Sequence, residues 1–244
     1  MRPRICLYVV GEPPPPVASA HGRYEDWFTR LCGQLPVDLE PVDGSAGRIP
    51  AGLGAYDGFV ITGSPASLTA PEPWMEAAVE LVRHAYGERR PLLGVCFGHQ
   101  LVGAAFGGAV VNNPRGWEVS TCAVELTEAG RRDPLFDGLP ERIDVNFSHR
   151  DIIDETTLSP MNGVTVLAAN DLCAVQAVAA GPHVRSVQFH PEFTGSIISA
   201  YVGTRAGDLP DPDDALDRAA DCPAGEQVFT NFLRHFVLSA SVSR

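Results

Sequence analysis

The chain's 244 residues, 45% hydrophobic and 20% charged, suffice for one large domain around a single core. A formal net charge of −12 with no Lys/Arg run argues against a nucleic-acid surface, which needs a basic stripe. No stretch approaches the ~18 consecutive apolar residues of a membrane helix. The six cysteines are scattered, with neither a C-x-x-C pair nor metal-ligand spacing, so a reduced, cytoplasmic protein with no metal and no cofactor is expected.

Along the chain, Arg2 and Arg4 precede an apolar run at 5–10, a pattern shared with signal peptides. The run is short and stops at Gly11 and four prolines, so a buried strand is the better reading. The segment 11–22, with Pro13 to Pro16, reads as a stiff loop near the rim of a site. An amphipathic helix is expected at 24–32, with Trp27 and Phe28 turned inward. A strand at 59–62 follows, then a helix at 74–86 that has Met75, Val79 and Val82 on one face, opposite Glu76 and Glu80. A strand at 92–95 leads into a helix at 97–106. From 117 to 126 and from 143 to 147 the pattern is that of strands without long helices between them. Strands at 164–169 and 184–189 come next, then a loop or short irregular helix at 207–225. A closing helix at 226–238 carries Val228, Phe229, Phe232, Leu233 and Phe236 on one side. Apolar strands alternating with helices predict an α/β fold whose mainly parallel sheet is flanked by helices, with a small antiparallel excursion. One domain, 1–244, is the expected count. Cys6, Cys122 and Cys173 lie in strand-like runs and read as small buried hydrophobes.

The segment around Gly94, Cys96, Gly98 and Gln100 is the most informative. An apolar strand ends in G-x-C-x-G and a helix follows, the cysteine analogue of the elbow that lifts a nucleophile above a sheet edge. A cysteine at a helix N-terminus gains from aligned amides and the helix dipole, and the amide of Phe97 is placed to receive an oxyanion. A second segment, His190-Pro191-Glu192, closes another apolar strand. Two residues apart on an extended backbone, His190 and Glu192 point to one face, and a carboxylate beside imidazole fixes its tautomer.

G-V-C-F-G-H-Q at 94–100 followed by H-P-E at 190–192 resembles the class I (triad) glutamine amidotransferases. The likeness covers about residues 5–195, which sets the catalytic core there and leaves a terminal loop and helix at 205–238. It implies Cys96 as nucleophile, His190 as base and Glu192 as orienter. It further implies an oxyanion hole from the amides of Gly63 and Phe97, with substrate contacts from Gln100, Ser148 and His149 in an S-H-x-D segment ending at Asp151. By the same resemblance the partner is a small γ-glutamyl substrate or glutamine, attacked at its γ-carbonyl to give a glutamyl thioester. About fifty residues follow the H-P-E, too few for a synthetase domain, and they look like those of stand-alone members such as the γ-glutamyl peptidases. A cysteine hydrolase of γ-glutamyl conjugates is therefore expected. A subunit delivering ammonia to a separate synthetase is the alternative, and a non-enzymatic ligand-binding relative a third. His149 is assigned to the pocket wall rather than to a second base, and His99 to packing or solvent. Glu118 is read as a solvated carboxylate, and His21, His84, His183 and His235 as solvated side chains.

Overall fold

The computed structural model describes residues 2–33, 35–50, 52–158 and 163–239. β1 (Arg4–Val9) is apolar on both faces: Ile5, Leu7 and Val9 enter one core cluster, Cys6 and Tyr8 the other. Such a strand needs cover above and below, and it receives both. On its two sides lie β2 (Asp38–Asp43) and β3 (Gly58–Ile61), each parallel to it. β4 (Leu92–Val95) runs parallel to β3. The remaining strands are β5 (Val110–Asn112), β6 (Glu118–Leu126), β7 (Arg142–His149), β8 (Asp151–Ile153), β9 (Val164–Ala169), β10 (Ala177–Ala180) and β11 (Val184–Val187). Nine of them form one sheet in the order β2-β1-β3-β4-β11-β10-β9-β6-β7, and β5 with β8 makes a separate antiparallel pair. Five neighbouring strands, β2 to β11, are parallel. From β11 outward every pairing is antiparallel, so the excursion expected from residues 117–147 becomes a four-stranded arm.

Helices cover both faces. α2 (Tyr24–Cys32), α5 (Gly195–Arg205) and α7 (Pro223–Phe232) pack on the face carrying Leu7, Leu93 and Val95. α3 (Pro73–Gly87) and α4 (Phe97–Ala105) pack on the face carrying Tyr8, Phe59 and Leu92. After Phe232 the last helix loosens into π-helical turns over Leu233–Leu238. No helix among the described residues is long and apolar enough to cross a membrane.

Three segments differ from their sequence reading. Pro15 opens a helix, α1 (Pro15–His21), so half of the proline run lies inside an element. Proline is well suited to a first helical turn, because its missing amide would be unpaired there anyway. Within 207–225 the chain forms α6 (Pro212–Arg218), capped by the Asp211 carboxylate, which accepts the Asp214 amide at 2.9 Å. Cys122 is half-buried rather than buried, and its sulfur accepts from Arg218 Nη1 at 3.2 Å.

Candidate active site

Between β4 and α4 the backbone turns on Cys96, which adopts φ 51° and ψ −98°. A non-glycine residue there is strained by about 1–3 kcal/mol, so the surroundings must hold it. They do so by contact: a Cβ at Gly94 would lie 2.4 Å from the Gly98 carbonyl oxygen, and one at Gly98 would lie 2.6 Å from that of Ile61. Both glycines are therefore required by close backbone approach. The Cys96 amide donates to Val187 O at 2.9 Å, tying the elbow to β11. Cys96 is 5% exposed. At this corner the amides of Gly63 and Phe97 find no acceptor among the described residues; that of Phe97 heads α4, where first-turn amides have no intrahelical partner. A Cβ on Gly63 would sit 2.8 Å from His190 Cε1 and 3.6 Å from Cys96 Cβ, so all three residues meet at one point.

His190 follows β11 and reaches Glu192 through a tight turn, in which Phe193 N donates to His190 O at 3.3 Å. The pair is thus brought together by a turn, not by the extended backbone expected from its spacing. His190 Nδ1 lies 2.7 Å from Glu192 Oε1, both side chains being almost wholly buried. The imidazole stacks on Phe193 at 3.9 Å with ring planes 7° apart, and Tyr201 lies beyond it. Arg30 donates to Glu192 O at 2.6 Å and pins the turn from behind. Burial alone would lower the pKa of His190, but the Glu192 carboxylate, and then the Cys96 thiol, outweigh it and hold the imidazole well above its usual range.

Beside the elbow opens a pocket of about 330 Å³ lined by Cys96, Gln100, Ser148, His149, Asp151 and Arg205 among others. Gln100 donates to Asp151 O at 2.9 Å. The Asp151 carboxylate accepts from Asn112 at 2.5 Å and from Ser67. His149 is buried between Asp151 O at 3.0 Å and Glu118 Oε2 at 2.9 Å. Glu118 is 1% exposed and also accepts from Asn170 and Gln176, which overturns its reading as a solvated carboxylate. Burial pushes its pKa upward, yet the His149 contact and the amide donors hold it below the usual value. The cause of the misreading is pairing: Glu118 on β6 stands directly opposite His149 on β7. His99 packs, fully buried, between Ser186 Oγ at 2.8 Å and Val175 O at 3.1 Å, and burial drives its pKa down to about 3. His183 is half-buried, with an unpartnered Nε2 and a lowered pKa, rather than solvated. A second, narrow recess of about 20 Å³ shares Ser64, Pro65, Cys96, Ser148 and Arg205 with that pocket and adds Pro14, Tyr24, His190 and Tyr201. Arg205 was not singled out in the sequence, although it is the sole charged residue of α5.

The glutamine amidotransferase class-I family matches residues 29–201. The chain is 30% identical over 186 residues to a glutamine amidotransferase-like protein of Schizosaccharomyces pombe, covering 74% of this chain and 71% of that one. It is 27% identical to gamma-glutamyl peptidase 3 of Arabidopsis thaliana, over 74% of this chain and 68% of the other. In fold it resembles a glutamine amidotransferase of Thermotoga maritima, with a TM-score of 0.74 at 19% identity, covering 97% of this chain and 99% of that one. With residues 29–201 matched, the chain belongs to the class I glutamine amidotransferase family.

Proposed function

We propose that the protein hydrolyses γ-glutamyl amide bonds, with Cys96 as nucleophile, His190 as acid and base, and Glu192 holding the imidazole. The observation that carries this reading is the buried His190–Glu192 pair at 2.7 Å beside a cysteine on a strained, glycine-flanked elbow. Burial pushes the Cys6 and Cys173 thiols up to about 12, far from a nucleophile's range. Cys96 Sγ forms a bond to the γ-carbonyl carbon with its proton already held on His190, whose imidazole is biased toward the charged form, and the Gly63 and Phe97 amides receive the oxyanion. His190 returns that proton to the leaving nitrogen as the C–N bond breaks, which leaves a glutamyl thioester on Cys96. Water then attacks the thioester, giving a proton to His190. Glutamate departs as the C–S bond breaks, and the thiolate is left beside the protonated His190. Gln100, Ser148 and His149 line the side on which the glutamyl half would lie.

The preferred substrate is a γ-glutamyl conjugate rather than free glutamine. The gamma-glutamyl peptidase relative supports this reading. The test compares kcat/KM for glutamine and for γ-glutamyl dipeptides with the wild type and Cys96→Ala. A value at least tenfold higher for the dipeptides is expected, with no turnover by Cys96→Ala. Glutamine favoured tenfold, or turned over only with an added synthetase, would establish the ammonia-delivering role instead.

A further inference from the structure

Arg205 stands at the last residue of α5, four residues and one helical turn after Tyr201, so both face the site. Its guanidinium lies over the Trp117 ring, 4.3 Å from the centroid, a stacking that fixes the plane of the fork. Among the described residues it joins no ion pair, and its Nε is buried without a hydrogen-bond partner. In a chain with 30 acidic against 18 basic residues, an arginine that meets no carboxylate at the edge of a reaction site is held ready for a ligand's.

Which carboxylate it meets follows from its position. Arg205 is the one basic residue among the five that line both the larger pocket and the narrow recess, with Cys96, Ser148, Ser64 and Pro65, whereas Gln100, His149, Arg150 and Asp151 line only the larger one. His190 lines only the recess. The leaving nitrogen takes its proton from His190, so that nitrogen sits at the recess, whose 20 Å³ or so hold little more than it, and the rest of the amine extends outward along Arg205. The glutamyl half then occupies the larger pocket, where the exposed Arg150 supplies a cation of its own.

We propose that Arg205 is a specificity-determining residue that binds the carboxylate of the leaving amine, so that the preferred donors are γ-glutamyl amino acids and peptides rather than neutral γ-glutamyl amides. This rests on the hydrolase reading above and adds to it the chemistry of the amine side. The fork of Arg205 pairs two-pronged with that carboxylate while Trp117 backs it, and a neutral amide in the same place leaves the guanidinium without its anion.

The experiment measures kcat/KM for γ-glutamylglycine and γ-glutamylglycinamide, which differ only in that carboxylate, with wild type, Arg205→Gln and Arg205→Lys. Wild type is expected to favour γ-glutamylglycine by about tenfold or more, and the preference should weaken as salt rises. Arg205→Gln should bring the two substrates within about twofold by lowering the glycine value far more than the glycinamide value. Arg205→Lys, which keeps charge without the planar fork, should fall between. Circular dichroism spectra and melting midpoints matching the wild type report that the variants are folded. Equal losses on both substrates, or no preference in the wild type, would overturn the assignment while leaving the hydrolase standing. Absence of hydrolysis of either compound, together with no glutamyl adduct on Cys96, would bring down both.

Discussion

His190 is buried and yet held toward its charged form, because Glu192 and Cys96 outweigh the cost of burial. A histidine whose folded pKa is raised stabilises the fold fully below its ordinary ~6.5 and loses that contribution as pH climbs to the raised value. Glu192→Gln should therefore destabilise most below pH ~6.5, the gap to wild type closing in alkali, as urea midpoints at several pH values would show. Its kcat should drop by about 10²–10³-fold, less than for Cys96→Ala, since Phe193 still holds the ring by stacking. His99 works with the opposite sign. Its folded pKa lies near 3, so between ~6.5 and that value the unfolded chain binds a proton the native one refuses. Stability should fall with pH at up to about 1.4 kcal/mol per unit, and His99→Gln should flatten the slope between pH ~6.5 and ~4.5, above the window in which Glu118 adds its own loss. The two H-P-E side chains and the elbow cysteine were legible because local spacing expresses their chemistry. The settings of Glu118 and Arg205 were not: one is paired with a histidine 31 residues away, the other lies over a tryptophan on β6's approach.

At the scale of elements, the apolar strands and amphipathic helices declared themselves because their side chains alternate or recur on one face. Several elements did not, β2 and β10 among them. β2 is polar and contains Pro41, tolerable only because it is the sheet's edge, where one row of amides needs no partner. β10, Ala-Val-Ala-Ala, has little intrinsic strand preference and is held by neighbours on both sides. The elbow is the reverse case, an element whose sequence leaves no freedom. Gly98→Ala would set a methyl 2.6 Å from the Ile61 carbonyl oxygen. A loss of about 3 kcal/mol is expected, because backbone on both sides cannot yield, and α4 must tilt to relieve it. Calorimetry of Gly98→Ala should show that loss, with activity falling further than stability because the Phe97 amide moves with the helix. Gly87→Ala, whose added methyl meets nothing within 4 Å, is the control.

For the whole molecule, the decisive feature is where β11 sits. It is parallel to β4 and antiparallel to β10, so one four-residue strand joins the two halves of the sheet. Val184 pairs with Leu92 across a large separation in the chain, and Cys96 N is held by Val187 O at the far end of the same strand. Until that pairing closes, β4 is a bare edge, apolar on both faces and open to other chains. Parallel pairing across so long a loop is slow to form. Refolding from denaturant should therefore recover helical circular dichroism early and enzymatic turnover late, the two traces separating in time. The yield of active protein should fall as concentration rises, and a peptide spanning residues 184–193, added during refolding, should protect it. The strand that leads into His190 is thus also the stopper on the chain's own route to aggregation.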